Sequence, residues 1–379
     1  MKQLSEKIAA VAPSATLSIS DKAKKMQREG IDVISLSIGE PDFDTPRHIK
    51  DACIDALNRG ETHYSPSNGI PELLTAISEK ISSENHFPCR PDQVIVTCGA
   101  KDAIYEAMEA VLNPGDETIL ITPAWVSYEP CVQIAGGKVV KHAINEKTFQ
   151  LDDSLLERVN TKTKMIVVNS PSNPSGAVFD TNSMKLVADI CQDYDIYAIS
   201  DEIYEKLVYA KEHISLAAIG DMAERTITIN GFSKSYAMTG WRLGYAVAPV
   251  EIIRQMSKVQ QHSVSQAVTF AMWGAVAALK GDQRCVVEMR TEFDRRRKYI
   301  LSELNRMGYE TAPAEGAFYA FVNVGGDDVQ TATRWLEQGH VAVMPGSAFY
   351  APGWIRLSYA TSMEKLKNAM DRIQKLGRN

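Results

Sequence analysis

Asn230-Gly231-Phe232-Ser233-Lys234-Ser235-Tyr236-Ala237-Met238-Thr239-Gly240-Trp241-Arg242-Leu243-Gly244-Tyr245 follows an alternating apolar run, Thr226-Ile227-Thr228-Ile229-Asn230, that predicts a strand. A lysine at the end of a buried strand is costly unless something compensates its ammonium. Here Ser233 flanks it and Arg242 follows eight residues later. An amine so placed can form a Schiff base with a carbonyl, and serine and arginine can hold an oxyanion beside it. Taken alone, Lys234 reads as a surface lysine in a polar loop, the usual setting for this residue type. The rest of the chain has to decide between the two.

The chain has 379 residues, enough for two domains and a sizeable core. A hydrophobic fraction of 45% and a charged fraction of 23% are those of a globular protein. The net charge of −6 gives no strong attraction to nucleic acid or anionic membranes. No apolar run reaches the roughly 20 residues that span a bilayer. Met1–Ala10 is interrupted by Lys2, Glu6 and Lys7, so no secretion signal is expected there. The six cysteines, at 53, 89, 98, 131, 191 and 285, form no CxxC pair and no metal-like cluster. They predict reduced thiols in a cytoplasmic protein and no metal site.

Working outward from the lysine, strands alternate with helices. Val94–Thr97, Thr118–Ile121, Lys138–Lys141, Met165–Asn169 and Ile196–Ser200 read as strands. Asp102–Leu112, Ser127–Ala135 and Thr181–Asp193 read as helices between them. The alternation predicts an α/β fold, a mostly parallel sheet with helices on both faces. Ligands of such sheets bind at the carboxyl ends of the strands. Gly99-Ala100-Lys101, Asn169–Gly176, Asp201–Tyr204 and Ser233-Lys234 all fall at such ends. Upstream, residues 1–20 read as a polar arm, Asp21–Glu29 as a helix and Val33–Ile38 as a strand. Helices are expected over 47–59, opened by Pro46, and over Pro71–Glu84. Beyond Pro249 the composition turns helical, with a long charged helix over Gln283–Met307 whose Arg295-Arg296-Arg297-Lys298 run reads as a solvated face. Strands at Ala317–Val324, Val341–Pro345 and Ile355–Tyr359, with helices near Gln330–Gln338 and Ser362–Leu376, predict a smaller α+β unit. The expected division is a large domain over 47–280, with 1–46 and 281–379 forming the arm and the small domain.

Several residues carry chemistry at these positions. The Gly99-Ala100-Lys101 turn leaves N–H groups at a helix N-terminus, an anion site. Asp201 at a buried strand end needs a cationic or donor partner, unless it caps a following helix. A protonated pyridine nitrogen would be such a partner, and Tyr204 could bond the phenolate of the same ring. Asn173 is held between Pro171 and Pro174 and can donate an amide hydrogen. Trp125 can stack on a flat ring or fill the core. Gly39 either makes a turn or leaves its N–H open to a carboxylate. Arg356, inside the apolar run Trp354–Tyr359, demands an anion, and its fork suits a carboxylate.

In order and kind, Gly39, Tyr64, the Gly99 turn, Trp125, Asn173, Asp201, Tyr204, Ser233, Lys234, Arg242 and Arg356 resemble the fold-type-I pyridoxal 5'-phosphate (PLP) aminotransferases of class I. The resemblance runs along nearly the whole chain, and Gly39–Pro46 and Tyr236–Tyr245 are most similar to the bacterial and archaeal aspartate aminotransferases of the gamma subgroup. It implies that Lys234 carries the cofactor as a Schiff base and serves as the proton-transfer base. It further implies that Asp201 pairs with the ring nitrogen and that Asn173 and Tyr204 bind its phenolate. Gly99, Ala100, Lys101, Ser233 and Arg242 would surround the phosphate, with Tyr64 reaching in from a second subunit of a homodimer with shared active sites. Trp125 would stack on the ring. Arg356, Asn173 and the Gly39 backbone would take the substrate α-carboxylate, and Lys101 with Ser14 and Thr16 of the arm a distal carboxylate. Many relatives carry serine three residues before the lysine, where this chain has Gly231, so one phosphate hydroxyl is absent.

The implied reaction is ping-pong amino transfer from an L-amino acid, aspartate first, to 2-oxoglutarate. An aminotransferase for aromatic or neutral amino acids or prephenate is the alternative, followed by a PLP β-lyase on the same fold. A sensor domain of a transcriptional regulator is a different class; no helix-turn-helix region precedes residue 20 and the chain is acidic.

Overall fold

Strand β1 (Ile34–Ser35) belongs to the first part of the chain, after helices α1 (Glu6–Ala9) and α2 (Ala15–Arg28). The computed structural model describes residues 4–12, 15–209 and 211–378, with only the backbone of 15–20. Next come α3 (Arg47–Asn58), α4 (Pro71–Lys80), β2 (Val94–Thr97), α5 (Ala100–Val111), β3 (Glu117–Thr122), α6 (Tyr128–Ile134) and β4 (Lys138–Ala143). The central part continues with β5 (Thr163–Asn169), α7 (Thr181–Asp193), β6 (Tyr197–Asp201), β7 (Thr226–Gly231) and β8 (Gly244–Val247). Helices α8 (Val250–Ser263), α9 (Thr269–Lys280) and α10 (Arg284–Arg306) follow. The chain closes with β9 (Glu310–Thr311), β10 (Tyr319–Asn323), α11 (Asp328–Glu337), β11 (Val341–Ala342), β12 (Met344–Pro345), β13 (Trp354–Ser358) and α12 (Met363–Leu376).

Seven strands form one sheet in the order β2-β8-β7-β6-β5-β3-β4. Five run parallel to their neighbours, and β8 lies antiparallel between β7 and β2. Parallel strands are apolar on both faces, and here each face has its own cover. Met165 and Val167 pack toward α5, α6 and α8, whereas Ile166 and Val168 pack toward α7. Val94, Val96 and Tyr245 meet α3, α4 and α9. The α/β architecture is therefore the expected one. Strand β8 begins at the end of the stretch that opens the sequence analysis and is not anticipated there; it is only four residues long. A second sheet, β12-β13-β10-β9, is antiparallel, and α10, α11 and α12 pack on it. Strand β1 pairs in parallel with β11, so the run at 33–38 is shorter than its composition suggests. Among the described residues no helix is long and apolar enough to cross a membrane.

Two further expectations change. Helix α4 ends at Lys80 and widens into a π turn over Ile81–Asn85. Arg296 does not lie on a solvated face: it is buried, bonded to Asp42 at 2.7 Å and to Glu292 at 2.8 Å. Arg295 and Lys298 of the same run are exposed. A guanidinium facing the core needs carboxylates, and Asp42 supplies one from the loop that also carries Gly39.

The π turn brings Asn85 into a buried polar network behind Asp201–Tyr204. Lys80 Nζ donates to Glu205 and to Asn85 Oδ1 (2.6 Å). Asn85 Nδ2 donates to Glu205 (2.8 Å) and Glu202 (3.0 Å). Ser200 and Ser215 hydroxyls donate to the other Glu202 oxygen, each at 2.8 Å. Burial pushes the Glu205 carboxyl up, but Lys80 and His213 outweigh it and hold the group down at about 2. Its stabilising contribution is therefore complete above the ordinary value of 4.5 and disappears as pH falls toward 2. Lys80→Met should cost about 3–5 kcal/mol in urea unfolding at neutral pH, because it strands a buried carboxylate. Lys80→Met/Glu205→Leu should cost much less.

Candidate active site

The carboxyl ends of β2, β5, β6 and β7 open onto one cavity of about 510 Å³, closed from the other side by residues of β10 and β13. Its walls include Gly39, Ala100, Lys101, Trp125, Asn173, Asp201, Tyr204, Ser233, Lys234, Arg242 and Arg356. The sequence-predicted residues thus converge, with four exceptions, of which Gly99 lies just behind the wall, next to Ala100. Tyr64 is 92% exposed and lies outside the cavity of its own chain. Ser14 lies outside the described residues, and of Thr16 only the backbone, within α2, is described.

Lys234 is half-buried, three residues past the end of β7. Its Nζ donates to the Gly39 carbonyl at 2.6 Å. Thus Gly39 presents its carbonyl, not only an open N–H, to the site. Burial lowers the Lys234 pKa to about 8, with Arg356 and Arg242 adding to the effect and Glu40 and Asp201 opposing it. A fraction of the amine is therefore free of its proton near neutrality, the state a nucleophile or base requires.

Asp201 ends β6 and is buried. No helix follows it, so it caps none; a turn over 203–206 does. Its carboxylate accepts from the Tyr128 hydroxyl at 2.5 Å and from the Ile203 N–H at 3.2 Å. Burial raises its pKa to about 6 against those two bonds. Asn169, its neighbour in register on β5, donates to the Asp201 carbonyl (3.0 Å) and accepts from the Asn173 N–H (2.8 Å). The proline-flanked loop is thereby tied to the same strand end.

At the opposite end of the cavity, Gly99 takes φ +92° before the first turn of α5. That conformation suits glycine, and a Cβ there would stand 2.6 Å from Arg242 Nη2. Arg242 bonds the carbonyls of Thr239 (2.9 Å) and Cys98 (3.4 Å), which sets its guanidinium over the turn. A Cβ at Gly244, opening β8, would collide with the Ala100 amide, so the turn packs directly on the β8 backbone. The N–H groups of Ala100 and Lys101 find no acceptor among the described residues. A helix start with open N–H groups beside an arginine is a cradle for an anion. Ser233 is buried on the cavity wall nearby, and Lys101 sets its ammonium 5.0 Å from the Trp125 ring.

Arg356, on β13, is buried and stands over the Tyr319 and Phe349 rings at 4.5 and 4.8 Å. It donates to Asn173 Oδ1 (2.8 Å) and the Ser37 carbonyl (2.6 Å), and its Nε has no partner. Burial lowers its pKa. Among the described residues no carboxylate pairs with it, so the cavity holds an arginine that lacks an anion.

Sequence reasoning missed Tyr128, Tyr319, Asn169 and the Glu40–Thr239 bond that ties the Gly39 loop to the lysine segment. Tyr319 alternates with Phe321 in an apolar strand and carries no signal that separates it from core. Asn169 sat in plain view at a strand end, next to the proline loop.

A model of the family Aminotransferase class I and II matches residues 31–373. The chain is 43% identical over 387 residues to an aspartate/prephenate aminotransferase of Thermus thermophilus, covering 100% of both chains. It is 42% identical to an aspartate aminotransferase of Bacillus subtilis, covering 98% of both. Among solved structures, an aspartate aminotransferase of Thermus thermophilus with maleate superposes with TM-score 0.96 at 41% identity, covering 99% of this chain and 100% of that one. An aromatic aminotransferase of Pyrococcus horikoshii does so with TM-score 0.89 at 44% identity, covering 93% and 98%.

In the ligand-free protein the Lys234 amine should titrate near pH 8, read from the pH dependence of its reductive methylation. Arg356→Leu should move that midpoint up, since it removes a neighbouring cation. A midpoint at the ordinary 10.5 would contradict the electrostatics described here.

Proposed function

The chain belongs to the class I and II aminotransferases, a PLP-dependent family of transaminases, and from that premise we propose that it moves the amino group of L-aspartate to 2-oxoglutarate in a ping-pong cycle. The observation that carries the reading of an amino-acid and oxo-acid substrate is Arg356, a buried guanidinium with neutral partners only, facing the cavity of the Lys234 amine. A carboxylate is the ligand its fork accepts.

The residues fit pyridoxal phosphate. The Gly99 cradle, with the Ala100 and Lys101 N–H groups, Ser233 and Arg242, suits the phosphate. Asp201 suits the ring nitrogen, Asn173 and Tyr204 the phenolate, Trp125 the ring face and Lys234 the aldehyde. When bound, the cofactor supplies an electron-poor ring that accepts the electrons left as the α-proton departs. Asp201, oriented by Tyr128, holds a proton at the ring nitrogen, which maintains that capacity. Arg356, with Asn173 and the Gly39 backbone, binds the α-carboxylate and so turns the α-hydrogen toward Lys234. The Lys234 amine, its pKa lowered to about 8, takes that proton and returns it one position along.

The donor preference rests on Lys101, whose ammonium lies at the cavity wall near Trp125 and suits a distal carboxylate, with Ser14 and Thr16 of the arm as companions. The maleate bound by the Thermus structure is a dicarboxylate and supports the same choice. Aromatic donors and prephenate form the second reading, supported by the names of relatives and by the apolar Ile38 and Ile104 in the wall. The proposal includes a cytoplasmic homodimer in which the exposed Tyr64 of one subunit reaches the phosphate cradle of the other. It also includes a large unit over 47–280, with 1–46 and 281–379 as arm and small unit, the second lending Arg356 to Asn173 of the first.

Lys234→Ala should abolish multiple turnover with every donor; a Lys234→Ala protein that still turns over would contradict the assignment. Lys101→Ser should lower kcat/KM for aspartate roughly 10- to 150-fold, the equivalent of one charge-assisted bond of ~1.5–3 kcal/mol, and leave phenylalanine nearly unchanged. Equal losses for both donors would reject the distal-carboxylate role.

A further inference from the structure

Tyr319 touches three parts of the site at once, and nothing in the reaction as described uses it. It lies on β10 diagonally across from Arg356 on β13, since Tyr319 pairs with Ser358 and Phe321 with Arg356. Diagonal neighbours on one face of an antiparallel pair are within reach when both side chains are long. The Arg356 guanidinium accordingly stands 4.5 Å from the Tyr319 ring centroid. The Tyr319 hydroxyl is 2.7 Å from that of Tyr204, and the two rings meet edge to face. A Cβ on Gly39 would collide with the same hydroxyl, so the loop that holds Lys234 through its carbonyl closes directly on it. Both tyrosines are buried, and both line the cavity.

We propose that Tyr319 is a positioning residue that joins the two halves of the site, its hydroxyl donating to Tyr204 and its ring supporting Arg356. The direction of the hydroxyl pair follows from proton count. A phenol has one hydrogen to give. If Tyr204 gives its hydrogen to the cofactor phenolate, the bond between the tyrosines has to be donated by Tyr319. That donation polarises the Tyr204 O–H and makes it the stronger donor. With the cofactor bound, Tyr204 donating in this way would weaken the hold of the phenolate oxygen on a proton carried by the Lys234 nitrogen, and that proton would be lost at lower pH. Separately, the ring beneath Arg356 keeps the guanidinium aimed into the cavity without neutralising it, which leaves its charge for a carboxylate.

The inference rests on the functional reading above, and two variants separate its halves. Tyr319→Phe removes the hydroxyl and keeps the ring; Tyr319→Leu removes both. Each is loaded with pyridoxal phosphate, titrated by near-ultraviolet and visible absorbance, and then titrated with maleate. In Tyr319→Phe the absorbance midpoint should rise by about half a pH unit or more while maleate affinity stays within about twofold. In Tyr319→Leu the midpoint should rise likewise and maleate should bind roughly 5- to 30-fold more weakly, a loss the phenylalanine variant restores. An unmoved midpoint in Tyr319→Phe would overturn the proposal even if Tyr319→Leu fails to fold. Unchanged maleate affinity in a folded Tyr319→Leu would overturn the second half. A wild-type protein that forms no chromophore would instead overturn the functional reading itself.

Discussion

A buried cation without an anion is among the least favourable things a fold can contain. This chain keeps one, Arg356, in its cavity, beside the half-buried Lys234. Arg356 has only an amide and a peptide carbonyl for partners, and Lys234 only a peptide carbonyl. Elsewhere the molecule neutralises its buried cations with care: Lys80 has Glu205, and Arg296 has Asp42 and Glu292. The contrast locates the chemistry. Charge left uncompensated beside open helix N–H groups becomes favourable once anionic groups bind, and the ligand completes the electrostatics that the protein leaves open.

The fold makes this arrangement affordable to build because the charges sit at strand ends, where side chains leave the close-packed sheet interior. β5, β6 and β7 each deliver one polar group: Asn169, Asp201 and, after a short excursion, Lys234. The antiparallel β8 opens at Gly244 against the Gly99 turn and brings Arg242 over it. The second sheet then contributes Arg356 and Tyr319 from neighbouring strands. Behind the cavity, the Lys80–Asn85–Glu202–Glu205 network fixes the turn after Asp201 that carries Tyr204. The site is therefore stiff where it meets the ring and nitrogen, and it is assembled from two sheets where it meets the carboxylate.

Most of the large sheet and much of the site could be read from the sequence, for a physical reason. Lys234, Asp201 and Arg356 are charged residues in or beside apolar runs, and such conflicts between type and setting stand out. Asn173 stands out because prolines bracket it. What stayed hidden depends on contacts between distant segments. Tyr128 reaches Asp201, 73 positions away, and Tyr319 reaches Tyr204, 115 away; in sequence both are ordinary aromatic residues. Arg296 looked solvated because three charged neighbours surround it, while only one face of α10 turns toward Asp42. The π turn after α4 had no signature, and its consequence, the delivery of Asn85 to the buried network, appears only in three dimensions.

The central claim is that, among the described residues, the Lys234 amine is the group placed to capture an aldehyde whose phosphate and ring are met by the surrounding residues. Incubation with pyridoxal phosphate, borohydride reduction and peptide mapping by mass spectrometry test it directly. The account predicts one pyridoxyl group per chain, on Lys234. An unmodified Lys234, or label scattered over surface lysines, would contradict it.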